Sequence, residues 1–209
     1  MESDKSRPTY TVNEIFYSLQ GEGVRAGTAN LFLRLSGCNQ TCLIETHGFS
    51  CDTEFVSGIK MTAEDIVSRC RELSKDCNWI IVTGGEPLLQ LDLHLAKTLK
   101  DAGFSIAIET NGSINPSAEV LALIDWIACS PKVAEHAVKL ERCDELKYVR
   151  GYGQGIPKPK LSDAIHKLIS PAFEGPVLDP RTLKWCIDLV KDNPTWRLSV
   201  QQHKGWSVR

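Results

Sequence analysis

From Trp79 onward, short apolar and β-branched runs alternate with stretches of helical period. The runs are Trp79 to Thr83, Phe104 to Glu109, Trp126 to Ser130, Glu145 to Val149, Lys167 to Ser170 and Trp196 to Gln201. Successive starts lie about 19 to 29 residues apart, room for one strand, a crossover helix and two short loops. This rhythm predicts a parallel α/β sheet. Thr11 to Ser18 and Leu31 to Ser36 read as two further strands ahead of it.

The helical stretches have legible ends. Thr62 is a candidate N-cap, with Asp65 three positions on, ahead of Ile66, Val67, Cys70 and Leu73 on one face. Gly103 closes the helix that carries Leu91, Leu95 and Leu99, and Asp179-Pro180 opens the one that carries Leu183, Cys186, Ile187 and Val190. Cys70 and Cys186 therefore read as core thiols. Gly151 to Pro159 holds three Gly and two Pro, a loop at which the alternation is weakest. Residues 1–9 read as a flexible polar tail and residues 10–209 as one domain.

Charge narrows the function classes. Lys plus Arg total 24 against 26 Asp plus Glu, a formal net charge of −2. A protein that grips phosphate backbone shows the opposite excess, so nucleic acid is not an expected partner. No apolar run approaches the roughly 18 residues of a membrane span, and the first residues have no apolar signal core. A cytoplasmic protein with reduced thiols is the expectation.

The eight cysteines are unevenly spread. Cys38-x3-Cys42-x8-Cys51 follows the strand Leu31 to Ser36 directly, through Gly37. Three thiols from one loop suit an iron–sulfur cluster with one iron left open. His47 keeps a second reading alive, because Cys38, Cys42, His47 and Cys51 approximate a zinc knuckle. Against it, the loop carries Glu45, Asp52 and Glu54 rather than basic and aromatic neighbours.

Thr83-Gly84-Gly85-Glu86-Pro87 ends the most hydrophobic strand, where α/β proteins place ligands. Its two glycines let backbone approach a ligand closely and Glu86 offers a carboxylate to an ammonium group, while the run taken alone reads equally as a tight turn into a helix. With the three-cysteine loop one strand earlier, the pair resembles the radical S-adenosylmethionine (SAM) superfamily. More narrowly, the chain resembles the 7-carboxy-7-deazaguanine synthase family from about residue 10 to its end. Further carriers are Glu14 to Gly23, Arg34 to Asn39, Cys51-Asp52-Thr53, Gln90-Leu91-Asp92, Glu109 to Ser113, Ser130-Pro131-Lys132 and Gln202-His203-Lys204. The cysteine spacing departs from the common Cys-x3-Cys-x2-Cys, and Leu43 to Ser50 reads as an insertion with His47 as a loop residue.

The resemblance implies a [4Fe–4S] cluster on Cys38, Cys42 and Cys51, with SAM on the open iron and cleaved to a 5′-deoxyadenosyl radical. It implies SAM contacts from Gly84, Gly85, Glu86, Asn111, Ser130, Pro131 and Lys132. The implied reaction turns 6-carboxy-5,6,7,8-tetrahydropterin into 7-carboxy-7-deazaguanine with loss of ammonia, a carbon–nitrogen lyase step of queuosine biosynthesis. The implied substrate residues are Leu19, Gln20, Gly21, Glu22, Arg34, Thr83, Glu109, His203 and Arg209, with Mg²⁺ on Thr53. An incomplete (β/α) barrel is expected, 209 residues being short of the roughly 250 of a full one. A homodimer and a reductase or flavodoxin-like electron donor are expected partners. An activating enzyme for a glycyl-radical partner shares the cluster and the Gly-Gly-Glu-Pro turn and is the alternative within the superfamily; the zinc-knuckle module is the alternative outside it.

Overall fold

The computed structural model describes residues 7–43, 47, 51 and 53–208. In chain order the elements are β1 (Thr9–Leu19), β2 (Ala29–Leu35), β3 (Ile59–Thr62), α1 (Ala63–Leu73), β4 (Trp79–Gly84), α2 (Leu93–Asp101), β5 (Ser105–Thr110), α3 (Ala118–Leu121), β6 (Trp126–Cys129) and β7 (Glu145–Arg150). There follow β8 (His166–Pro171), β9 (Phe173–Glu174), β10 (Val177–Leu178), α4 (Pro180–Asp192), β11 (Arg197–Leu198) and α5 (Gln202–Trp206).

One nine-stranded sheet runs in the order β11-β8-β7-β6-β5-β4-β2-β1-β3, and β9 and β10 form a separate hairpin. Within the nine-stranded sheet every pairing from β2 across to β11 is parallel, whereas β1 pairs antiparallel with both β2 and β3. Among the described residues β11 and β3 do not pair, so the sheet remains an open, incomplete barrel.

The period of two along each strand sorts the residues between two faces. Leu31, Leu33, Leu35, Ile80, Val82, Ile106, Ile108 and Leu146 enter the main core under the helices, beside Ile66, Cys70, Leu95, Leu99 and Cys186. The opposite face carries a smaller cluster of Phe16, Phe32, Ile81 and Ala107, flanked by Trp79 and Trp126. Arg34, Thr83, Glu109, Glu145 and Lys147 share strand parity with this second set, so β2, β4, β5 and β7 each deliver polar residues to one concave surface. Register keeps them level: Arg34 pairs with Thr83, Glu109 with Ala128, and Ala128 with Glu145.

The helix ends follow the sequence. Thr62 and Asp65 form a reciprocal capping box, Asp179 caps α4 with Pro180 in its first turn, and Gly103 takes φ +85° after α2. Leu91 packs in the core but precedes the helix it was expected to join. The regular alternation is overturned in two places. Between β6 and β7 only the 3-10 turn Glu135–Ala137 forms, because the segment is spent on burying Val138, Leu140 and Cys143 in non-helical chain. Between β7 and β8 the Gly- and Pro-rich loop forms no helix at all, and α4 braces it, Trp185 donating to the Gln154 carbonyl at 2.8 Å. Trp196 to Gln201 shrinks to the two-residue β11, and the four-residue edge strand β3 carried no periodic signal.

Candidate active site

Two cavities open on the concave face. The first is lined by Cys38, Cys42, Cys51, Gly84, Gly85, Asn111, Ser130 and Lys132. The second is lined by Leu19, Gly21, Arg34 and His203. Gln20, Glu22, Thr53, Thr83, Glu109 and Gln201 line both, so the cavities share a wall.

The cysteine loop is built on the Gly-Gly-Glu-Pro turn. The Glu86 N–H donates to the Gly37 carbonyl at 2.9 Å, and a Cβ on Gly85 would stand 2.1 Å from that oxygen and 2.7 Å from the Cys38 Cβ. A Cβ on Gly84 would stand 2.0 Å from the Leu35 carbonyl oxygen. Both glycines line the first cavity, yet what demands them is the close approach of β4 to the chain entering Cys38. All three thiols are free, Cys38 and Cys42 half-buried and Cys51 exposed. Burial pushes the Cys38 and Cys42 thiols up, and Lys132 opposes this at Cys42.

Glu86 does not face the cavity. Its carboxylate is fully buried and accepts from the Thr110 hydroxyl at 2.9 and 3.0 Å, the Asn111 N–H at 2.8 Å and the Leu88 N–H at 3.0 Å. It therefore braces the ends of β4 and β5 against each other. The Asn111 amide donates to the Asn39 side chain at 3.0 Å, and Asn39 donates to Ser113 at 2.8 Å, tying the cysteine loop to β5. Lys132 donates to the Ser130 hydroxyl at 2.8 Å. Pro131, between them, lines neither cavity, and Arg209 lies outside the described residues.

His47 is occupied elsewhere. Its Nδ1 accepts from the Leu43 N–H at 3.4 Å, and its Nε2 lies 3.1 Å from the Lys132 carbonyl. A carbonyl only accepts, so these contacts fit the neutral tautomer with its proton on Nε2. Among the described residues no three of His, Cys, Asp and Glu converge on a single-ion site, which a zinc knuckle needs. Three soft thiols spaced around one cavity, each able to bind a different iron, fit a cluster of the kind expected from the sequence. The other residues of the Leu43 to Ser50 insertion, Leu43 apart, and Asp52 lie outside the described residues.

The shared wall is a hydrogen-bonded acidic array. Glu109 accepts from Thr83 and from the Gln20 amide, both at 2.8 Å. Glu22 accepts from Lys147 and, at 2.6 Å, from Gln201. Arg34 donates through Nε to Glu14 of β1 at 2.9 Å, which gives this part-buried charge an anionic partner. Gly21 has no Cβ because His203 lies against it, 2.2 Å from where that atom would be.

Lys147, Glu145 and Gln201 escaped the sequence reading. The signal for the first two was present: in Glu145-Leu146-Lys147-Tyr148 the charges alternate with apolar residues on a parallel strand. Such strands are covered on both faces, so a Glu-x-Lys pair there demanded buried partners.

An open parallel sheet with a three-cysteine loop and a Gly-Gly-Glu-Pro turn at its carboxyl edge defines the class as a radical-SAM-type α/β protein. Over 201 residues the chain is 41% identical to the 7-carboxy-7-deazaguanine synthase of Bacteroides thetaiotaomicron, covering 95% of this chain and 98% of that one. The same-named protein of Burkholderia multivorans is 40% identical over 215 residues, 96% and 99% of the two chains. The chain belongs to the 7-carboxy-7-deazaguanine synthase family. The crystal structure of QueE from Escherichia coli superposes with a TM-score of 0.68 at 24% identity, covering 93% of this chain and 95% of that one. No protein-family profile matches the chain.

Proposed function

We infer that this chain converts 6-carboxy-5,6,7,8-tetrahydropterin to 7-carboxy-7-deazaguanine with loss of ammonia, as a radical SAM lyase. The observation that carries the reading is the common wall of the two cavities: a three-thiol pocket and an Arg–carboxylate pocket abut through Thr53, Thr83, Glu109 and Glu22. A cluster held by Cys38, Cys42 and Cys51, with SAM, supplies radical chemistry when bound. Gly84, Gly85, Asn111, Ser130 and Lys132 line that pocket as SAM contacts, while Glu86 fixes the turn that presents them.

On the other side, Glu22 and Glu109 accept from the N–H edge of the aminopyrimidinone. Each carboxylate oxygen retains a lone-pair direction beyond the bonds already made. Glu14 accepts from the Nε of Arg34 at 2.9 Å, and the planar fork of the guanidinium suits the substrate carboxylate. Thr53, which lines both cavities, would offer one hydroxyl oxygen to Mg²⁺, a hard ion that takes oxygen ligands. Leu19 and His203 cover the cavity. A second copy of this chain and a low-potential electron donor are the partners in this reading. Among the described residues no helix is long and apolar enough to cross a membrane.

Anaerobic reconstitution followed by incubation with dithionite, SAM and the carboxypterin tests the assignment. About four iron and four sulfide per chain, with turnover that needs no protein substrate, is the expected result. One zinc and no colour, or turnover only with a protein partner, would reject it. Cys51→Ala should abolish iron binding, whereas Cys186→Ala, a change on the buried face of α4, should retain it.

A further inference from the structure

We propose that Lys147 is a positioning residue: its ammonium, together with the Gln201 amide, holds the Glu22 carboxylate as a fixed hydrogen-bond acceptor for the N–H edge of the substrate. This rests on the pterin reading of the second cavity. Lys147 projects from β7 to Glu22 in the turn after β1, and both side chains are less than a fifth exposed. Gln201 takes the other Glu22 oxygen from the segment just before α5. Three elements far apart in sequence thus converge on one carboxylate.

The charges around the ammonium explain the need. Glu22, Glu109 from β5 and Glu145 from β7 all face Lys147. Arg25 approaches Glu145, His203 approaches Glu22, and His166 of the neighbouring β8 stacks on Trp126 of β6. Glu145 is committed to the Val24 N–H at 2.8 Å, and burial pushes its carboxyl up. Burial acts on Glu22 in the same sense, but the Lys147 charge and hydrogen bond, with Gln201, override it and bring that carboxyl down to about 2. Burial opposes the charged form of Lys147, and the Glu22 and Glu109 carboxylates outweigh it and raise its pKa. Without the ammonium, carboxylates crowded at low dielectric take up a proton. A protonated Glu22 is a donor facing a donor, and binding is lost.

Calorimetric titration of the reconstituted enzyme with 6-carboxypterin, from pH 6.5 to 9, tests this in wild type, K147M, K147R and E22Q. K147M should bind about tenfold more weakly at pH 7, with part of the loss recovered toward pH 9 as Glu22 ionises. K147R, which keeps the charge, should stay within about threefold of wild type. Adding K147M to E22Q should cost little more. K147M binding as wild type, or losing the same factor at every pH and in the E22Q background, would overturn the role of Lys147 alone. Wild type taking up no pterin would overturn the functional reading and this proposal with it. Carboxyl-13C NMR gives a ligand-free check: the Glu22 carboxyl, held down to about 2 in wild type, should titrate inside the pH range of the calorimetry in K147M, and a titration that stays below that range refutes the proposal.

Discussion

Glu86 shows what one residue's chemistry discloses before its neighbours are known. A carboxylate in a Gly-Gly-Glu-Pro turn offers itself to an ammonium group, and the sequence supports that assignment. Its donors come from the other side, from Thr110 and Asn111 at the end of β5 and from Leu88 within the turn. Nothing in a local pattern says that β5 ends beside this turn, so the direction of the side chain was not legible, though its importance was. Glu86→Gln replaces one acceptor by an NH₂ that must face an N–H or the Thr110 hydroxyl, which should cost about 1–3 kcal/mol of stability. Denaturant titration measures this. An unchanged midpoint would mean that the bonds to Thr110 and Asn111 do not hold the strand ends.

Among the elements, strands were easier to read than the helices between them. A two-residue period survives on a strand whose inner face carries chemistry, because Leu146 and Tyr148 still mark the outer face beside Lys147. Crossover helices leave no comparable trace when their place is taken by extended chain, and Val138, Leu140 and Cys143 serve the core equally well without helical turns. Close approach of two elements is legible only as glycine. Gly85→Ala would put a Cβ 2.1 Å from the Gly37 carbonyl oxygen, a backbone atom that cannot swing aside, so β4 and the cysteine loop must separate. A loss of about 1–3 kcal/mol with a lower iron content after reconstitution is expected. Gly155→Ala, with no atom within 4 Å of its Cβ, is the control and should leave both unchanged. Full iron loading in Gly85→Ala would show that the contact does not set the loop.

Across the whole molecule, the open sheet leaves the second cavity to be closed by the last described helix folding back on the first strand. The Gln202 N–H donates to the Gly21 carbonyl at 2.8 Å, and Lys204 donates to the Gly175 carbonyl at 2.8 Å while lying over the Phe173 ring. These contacts join β1, the β9–β10 hairpin and α5 around the cavity. None of the α5 residues is buried, so the core does not depend on them. Deleting residues 202–209 should therefore leave far-UV circular dichroism and iron content intact and lower the melting temperature by only a few degrees, since about 1 kcal/mol corresponds to roughly 2–4 °C at this size. The 6-carboxypterin affinity should fall about tenfold or more, because His203 and the seal over Gly21 go together. Gly21→Ala should reproduce part of the loss by forcing His203 off its seat, 2.2 Å being far too short for a Cβ beside Nδ1. A truncated chain that binds pterin as the full chain does would mean that the cavity is closed from elsewhere, and α5 would then be a surface ornament of the sheet edge rather than its lid.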